Sequence, residues 1–204
     1  MKLLTTTFGL LFSASSLLAA PLTFDFKDPK GVNNAVFKLD APLEAIQGSA
    51  NGVAGKIQFD PANPATAKGK ITVEAKSLQV PNAMMKEHLD GEQWMDVAKY
   101  PEISFELKEL RNVKTEGDIT TADAVGTFTL RGVSKEVVVP AKATFLKDKL
   151  GARTNGRMQG DLLVIRTTFS VKRTDFGINP GAPQDKVADV IELTLSIAGS
   201  APRS

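Results

Sequence analysis

The segment HLDGEQWMDVAKYP, residues 88–101, gathers the side chains best suited to chemistry. It holds the chain's single His (His88), single Trp (Trp94) and single Tyr (Tyr100), with Asp90, Glu92 and Asp96 among them. A histidine beside a carboxylate can serve as a general base. Hydrolysis or isomerisation through it would also need a nucleophile or an electrophilic site, and the sequence has no Cys and no G-x-S-x-G elbow. A small hydrolase or isomerase using His88 therefore ranks last among the readings, and no catalytic residue is assigned. One His without Cys leaves only carboxylates for a zinc ion, so no metal site is expected. "DGEQWMD" lacks the acidic alternation of a calcium loop, and "GVAGK" lacks the first glycine of a phosphate loop, Ala50 standing in its place. No cofactor is expected. The simplest role for His88 is packing and hydrogen bonding in a structural element.

That element reads as a short helical plug over residues 82–98. Asn82 can cap its start, Met84, Met85, His88 and Leu89 form one stripe, and Gly91 ends the first helix. A second short turn through "EQWMDVA" brings Trp94, Met95 and Val97 inward, and Pro101 opens the strand that follows.

Around the plug the chain alternates. "KITVEAK" sets Ile71 and Val73 against Thr72 and Glu74, and "EISFELKEL" sets Ile103, Phe105 and Leu107 against Ser104, Glu106 and Lys108. "KEVVVPAKATF", "LLVIRTTFSVKR" and "VIELTLSIAG" repeat the period of two. Such alternation marks half-buried antiparallel strands. Turn signals at Asn51-Gly52, Pro61 to Pro64, Gly117, Arg131-Gly132, Asn155-Gly156 and Asn179-Pro180-Gly181 divide them. The strands expected are 22–27, 33–47, 52–60, 68–80, 101–114, 119–131, 133–148 and 157–174, with a further one at 186–199. The first two are candidates for one strand, interrupted or bent, with Pro42 breaking the apolar pattern.

Strands this long, apolar on one face, coil until the sheet closes. The expected fold is all-β, an antiparallel up-and-down barrel of about eight strands, in a single domain over residues 21–204. Residues 1–20, MKLLTTTFGLLFSASSLLAA, read as a cleaved secretory signal. Without Lys2 the remaining charge is close to neutral with mixed signs, which gives no nucleic-acid footprint. No stable membrane anchor is expected after cleavage.

Phe105, Phe128, Phe145 and Phe169 fall on the apolar parity of four different strands. They could fill a packed core or line a greasy channel, and the pattern is compatible with either. The expected lining is Ile71, Val73, Ile103, Phe105 and Leu107 from the middle of the chain. Phe128, Val139, Phe145, Phe169 and Leu193 extend it through the later strands, with Met85 and Trp94 reaching in from the plug. A polar end group at the mouth would meet Lys86, His88, Arg173 and Asp175. The plainer reading of the last two is a structural pair that fixes the turn before Gly177.

Four stretches in order resemble the YceI-like family of periplasmic polyisoprenoid-binding proteins. "HLDGEQWMDVAKYPEISFE" looks like its HL…[FW]-x-D-x-x-x-[YF]-P-x-I-x-F segment, and "GTFTLRGVSKEVVVPAKATF" like its G-x-L-T-[IL]-R-G-V-[ST]-K stretch. "VKRTDFGI" followed by "DKVADVIELTLSIAG" is similar to its R-x-D-F-G-[IL] close, and "GKIQFDPANPATAKGKITVEAKSLQV" to its F-D-P…P segment. The resemblance implies a lipocalin-like barrel, periplasmic localisation, an isoprenoid or similar amphiphile held inside, and no catalytic residues. The alternative is a packed barrel serving as a periplasmic protein-interaction module. The N-terminal stretch departs from the family: it keeps Asp25 and Phe37 but has no His, and Lys86-Glu87 replaces the usual Arg-Asp. Oligomeric state is left open, a homodimer among the options.

Overall fold

The computed structural model describes residues 20–203; the expected signal segment, apart from Ala20, lies outside the described residues. Eleven β-segments form one antiparallel sheet that closes on itself. They are β1 (Leu22–Asp25), β2 (Asn34–Asp40), β3 (Ala45–Ala50), β4 (Val53–Phe59), β5 (Lys68–Glu74), β6 (Leu78–Gln79), β7 (Glu102–Glu116), β8 (Ile119–Leu130), β9 (Val133–Leu146), β10 (Gly160–Lys172) and β11 (Val190–Pro202). One helix, α1 (Ala83–Asp90), precedes β7, and a one-turn helix, α2 (Leu150–Arg153), precedes β10.

The eleven segments make eight wall strands. β1 and β2 both lie along the same edge of β11, with Asp25 opposite Ser200 and Asn34 opposite Ser196. On their other side β4 pairs with β1 and β3 with β2. β1 with β2, and β3 with β4, are each one wall strand broken midway, and β5 with β6 is a third. The result is an eight-stranded up-and-down barrel, closed between the first wall strand and the last. Closure leaves few free edges to pair with other chains.

Three of the expected strands differ from the sequence reading. The strand expected at 68–80 is interrupted by a turn at Ala75–Ser77. The expected strand 33–47 is a hairpin: Ala41 N–H donates to Glu44 C=O across a turn containing Pro42, and β3 returns along β2. Proline presets the turn's φ and has no N–H to donate to a ladder. The last strand begins at Val190 rather than at residue 186, because residues 186–189 belong to a loop wrapped around Arg173.

The break between β1 and β2 is mended by side chains. Asn33, 2% exposed, donates from Nδ2 to the carbonyls of Phe26 (2.9 Å) and Ala198 (3.1 Å), and its Oδ1 accepts from Ala198 N–H at 2.9 Å. Backbone groups that lost a ladder partner thereby regain one. Asp28 accepts the N–H groups of Asn33, Val32 and Lys30, and Arg153 reaches it at 3.0 Å. Burial opposes ionisation of Asp28, but those N–H donors and the Arg153 guanidinium outweigh it and hold its pKa below the ordinary aspartate value.

Asn82 caps α1 as the sequence suggested, its Oδ1 accepting the N–H groups of Met84 (2.9 Å) and Met85 (3.2 Å). No side chain of α1 is fully buried. The helix lies over the upper end of the barrel, and residues 91–100 continue as turns that seat Met95 in the core.

Candidate functional site

The barrel is hollow. Two apolar lobes occupy it, about 190 Å³ below and about 260 Å³ above. They meet at a neck of Phe37, Leu78, Ile103, Phe128 and Leu193, which face both. A floor of Phe24 and Phe26, both fully buried, underlies the lower lobe.

Side-chain size decides why this interior is not filled. On β8 and β9 the inward positions of the lower lobe are small: Ala122 stands opposite Ala141, Ala124 opposite Val139, and Thr120 opposite Ala143. Alanine packs against its neighbours without reaching across the bore. Several large rings are laid against the wall by glycines. A Cβ on Gly48 would sit 2.2 Å from the Phe37 ring, and one on Gly126 would sit 2.5 Å from the Phe105 ring. Each ring occupies the space a strand side chain would have taken, a close approach only glycine permits.

Eleven of the twelve expected lining residues face these lobes. Ile71, Val73, Ile103, Phe105 and Leu107 line the lower lobe, as do Phe128, Val139, Phe169 and Leu193. Met85 and Trp94 line the upper one. Phe145 is placed apart: it contacts Phe24 edge to face at 6.2 Å between centroids, so it belongs to the floor packing rather than to the lining. Its parity is inward, but it lies toward the closed end of its strand.

A bulge between Leu107 and Glu109 shifts the parity of β7, so that Leu110 also points inward, opposite Ala124. The sequence reading did not assign Leu110, the alanines of β8 and β9, or Phe37. Small residues on an otherwise apolar parity were the available signal for a bore. Ile178 and Val187 of the upper lobe come from the loop before β11, where no period of two marks them, while Ile191 continues the alternation of β11.

The four expected head-group residues separate. Lys86 is ion-paired with Asp90 one helical turn away. Arg173 is fully buried, and its guanidinium donates to five carbonyls: Ala188, Ile178, Asn179, Ala182 and Val187. All five of its N–H donors are used. It organises the loop before β11 and has no donor left for a ligand. Asp175 does not pair with Arg173; it faces Lys135 at 3.6 Å on the outside. His88 borders the upper lobe at the mouth, and the Arg173 side chain, its donors already used, borders it as well. The helix stripe is also narrower than expected. Met85, His88 and Leu89 border the lobe, while Met84, about 100° away around the helix, is 67% exposed.

Arg131 holds the plug from the other side. In the two-residue turn between β8 and β9, Arg131 and Gly132 both have positive φ, 49° and 74°, as a type I′ hairpin requires. The Arg131 guanidinium donates to the carbonyls of Glu92 and Gly177, both at 2.7 Å, and Tyr100 lies against Gly132. Among the described residues no group of three or more His, Cys, Asp or Glu is arranged to hold a metal ion, and no helix is long and apolar enough to cross a membrane.

Comparison with known proteins agrees with this architecture. The UPF0312 protein of Yersinia pestis is 30% identical over 194 residues, 94% of this chain and 92% of that protein. The crystal structure of the Campylobacter jejuni YCEI protein matches with a TM-score of 0.60 at 24% identity, over 75% of this chain and 83% of that one. A polyisoprenoid binding domain from Saccharophagus degradans matches with a TM-score of 0.65 at 9% identity, over 89% of this chain and 99% of that one. The family model for the YceI-like domain matches residues 28–198, nearly the whole barrel. Closed eight-stranded wall, plug and sequence match coincide, and the chain belongs to the YceI-like family.

Proposed function

We propose that this protein binds the tail of a long isoprenoid or similar amphiphile inside its barrel and carries or sequesters it in the periplasm, after removal of residues 1–20. The observation that carries the reading is the continuous apolar bore, closed below and bordered above by the plug. The likeness to a domain described as polyisoprenoid-binding supports the ligand class. Partition supplies the affinity: each methylene-sized group leaving water contributes about 0.8 kcal/mol, offset by the loss of ligand freedom. No directional contact is needed along the tail, so the bore selects for length and width rather than for a functional group. A polar end group would sit at the mouth beside His88. No catalytic step is assigned to the protein.

Organic extraction of purified protein, followed by mass spectrometry, tests the reading. A lipid of consistent chain length in repeated preparations is the expected result. Repeated preparations without lipid, together with failure to take up a prenyl alcohol, would overturn it in favour of a protein-interaction module. His88→Ala should keep its lipid content; loss of a measurable turnover in that variant would instead point to an enzyme.

A further inference from the structure

The wall of the barrel is not hydrogen-bonded all the way round. β9 and β10 pair from Leu146–Leu162 to Ala141–Thr167, and there the ladder stops. Both strands continue. β9 reaches back to Val133, paired only with β8, and β10 runs on to Lys172, paired only with β11. The cause is visible at the stopping point. Pro140 has no N–H to give β10, and its carbonyl is taken by the Thr167 hydroxyl at 2.7 Å instead of by a backbone donor. Beyond it, Val133–Val139 of β9 and Thr168–Lys172 of β10 face each other across a seam.

The seam runs alongside the ligand space. Val139 and Phe169, one from each bank, line the lower lobe, and Phe128 behind them forms the neck. Its outer lip carries Val138, 57% exposed, among the polar Ser134, Glu136, Thr168, Ser170 and Lys172. Side chains alone span the seam: on the inner side Phe128 of β8 meets Phe169 of β10 and the buried Phe176 edge to face, each pair at 5.6 Å between centroids. Lys135 and Asp175 face each other at 3.6 Å near its upper end, both about half exposed; such pairs contribute little. Above it Arg131 ties the β8–β9 turn to Glu92 of the plug and to Gly177 beyond β10, while the five bonds of Arg173 fasten the loop before β11. Parting the seam breaks no backbone hydrogen bond between its banks.

We propose that the β9–β10 seam is the portal through which an apolar tail passes between solvent and the bore, sideways between the strands rather than past α1. This rests on the lipid-binding reading. The tail meets Val138, slips between Val139 and Phe169, and extends up and down from the neck, while the plug stays seated.

The test bridges the seam from outside. Continuing the observed register places Ser170 opposite Val138, both exposed and outside the lining. The sequence has no cysteine, so V138C/S170C carries the only two thiols. Bis-thiol linkers of two lengths are attached, bridging is verified by mass, and stopped-flow fluorescence follows uptake and release of an anilino-labelled prenyl alcohol. Bridging should slow both rates by about tenfold or more, with Kd little changed, because blocking one route leaves only a higher barrier. As a second measurement, Pro140→Val supplies the missing N–H and should slow exchange in the same direction without a linker. A bulky thiol adduct on Met84→Cys, at the exposed face of α1, should leave the rates alone. The proposal is overturned if bridged protein and Pro140→Val exchange the probe at the unmodified rates, or if only the Met84→Cys adduct slows them. Failure of the unbridged protein to bind any probe would instead remove the lipid-binding reading, and the portal with it.

Discussion

Ala122→Phe is the substitution that best separates a working bore from incidental empty space. Ala122 faces the lower lobe from β8, opposite Ala141, with about 190 Å³ of apolar room before it. The added phenyl ring displaces a comparable number of ligand carbons, about six, and at about 0.8 kcal/mol per methylene this withdraws up to ~5 kcal/mol of binding. Part is recovered as the tail seats higher, toward the upper lobe. A net loss of about 3–4 kcal/mol, roughly a hundred- to a thousandfold in Kd, is expected for long tails. Short tails that end at the neck should lose little. The effect on the empty protein should have the opposite sign. A ring inserted into a filled core costs about 1–3 kcal/mol, but here it enters a void and buries apolar area, so delipidated A122F should unfold at the same or higher urea concentration than the parent. Fluorescence titration with a series of prenyl alcohols of increasing length, beside urea unfolding of delipidated protein, reads both quantities. Unchanged affinity for the longest alcohol would show that tails do not reach the lower lobe. A destabilised variant with unchanged binding would show that the space closes up in solution.

Other expectations concern the scaffold. Asn33→Ala removes three hydrogen bonds to the backbone and one from Arg153, and strands buried backbone groups at Phe26 and Ala198; a loss of about 2–4 kcal/mol in urea unfolding is expected. Arg173→Met leaves five carbonyls without their donor and should lower stability by about 4 kcal/mol or prevent folding. Arg173→Lys should not restore it, because an ammonium has three donors and no planar fork. Asp28 has a depressed folded pKa, so its contribution is complete above the unfolded value near about 3.9 and is lost as pH falls through the lower folded value. Asp28→Asn should therefore flatten the acid limb of stability measured by urea unfolding below about pH 5, and an unchanged acid limb would contradict this assignment.

The fold was legible because period-two patterning is a local consequence of a sheet with one buried face. Ile103, Phe105 and Leu107, or Leu193 and its neighbours on β11, could be assigned inward from their polar alternates alone. The hairpin at Pro42 was misread because both of its arms carry apolar residues, and parity alone does not show a reversal of direction. Head-group residues were harder. Arg173 and Asp175 are two apart in sequence and of opposite sign, yet one turns into a ring of carbonyls and the other out to Lys135. Which carbonyls converge on Arg173 depends on how residues 178–189 fold back, and no local pattern in that loop encodes it.

Whether the barrel would be hollow could not be decided from the phenylalanines, and the reason is instructive. Bulk on an inward parity fills a core only if the rings point at one another across it. Here Phe128 meets Phe169 and Phe176 on one side of the neck only, Phe37 lies on Gly48 and Phe105 on Gly126, each pressed to the strand beside it, and Ala122, Ala124, Ala141 and Ala143 keep the β8–β9 side thin. The deciding residues are small ones whose meaning depends on cross-strand register, which is a property of the closed sheet and not of any one strand. The same register places Pro140 where its missing N–H ends the β9–β10 ladder beside the neck. The alanines that thin the bore and the proline that ends the β9–β10 ladder thus fall on neighbouring strands, β8 and β9. That is where a tail needs both room and a way in.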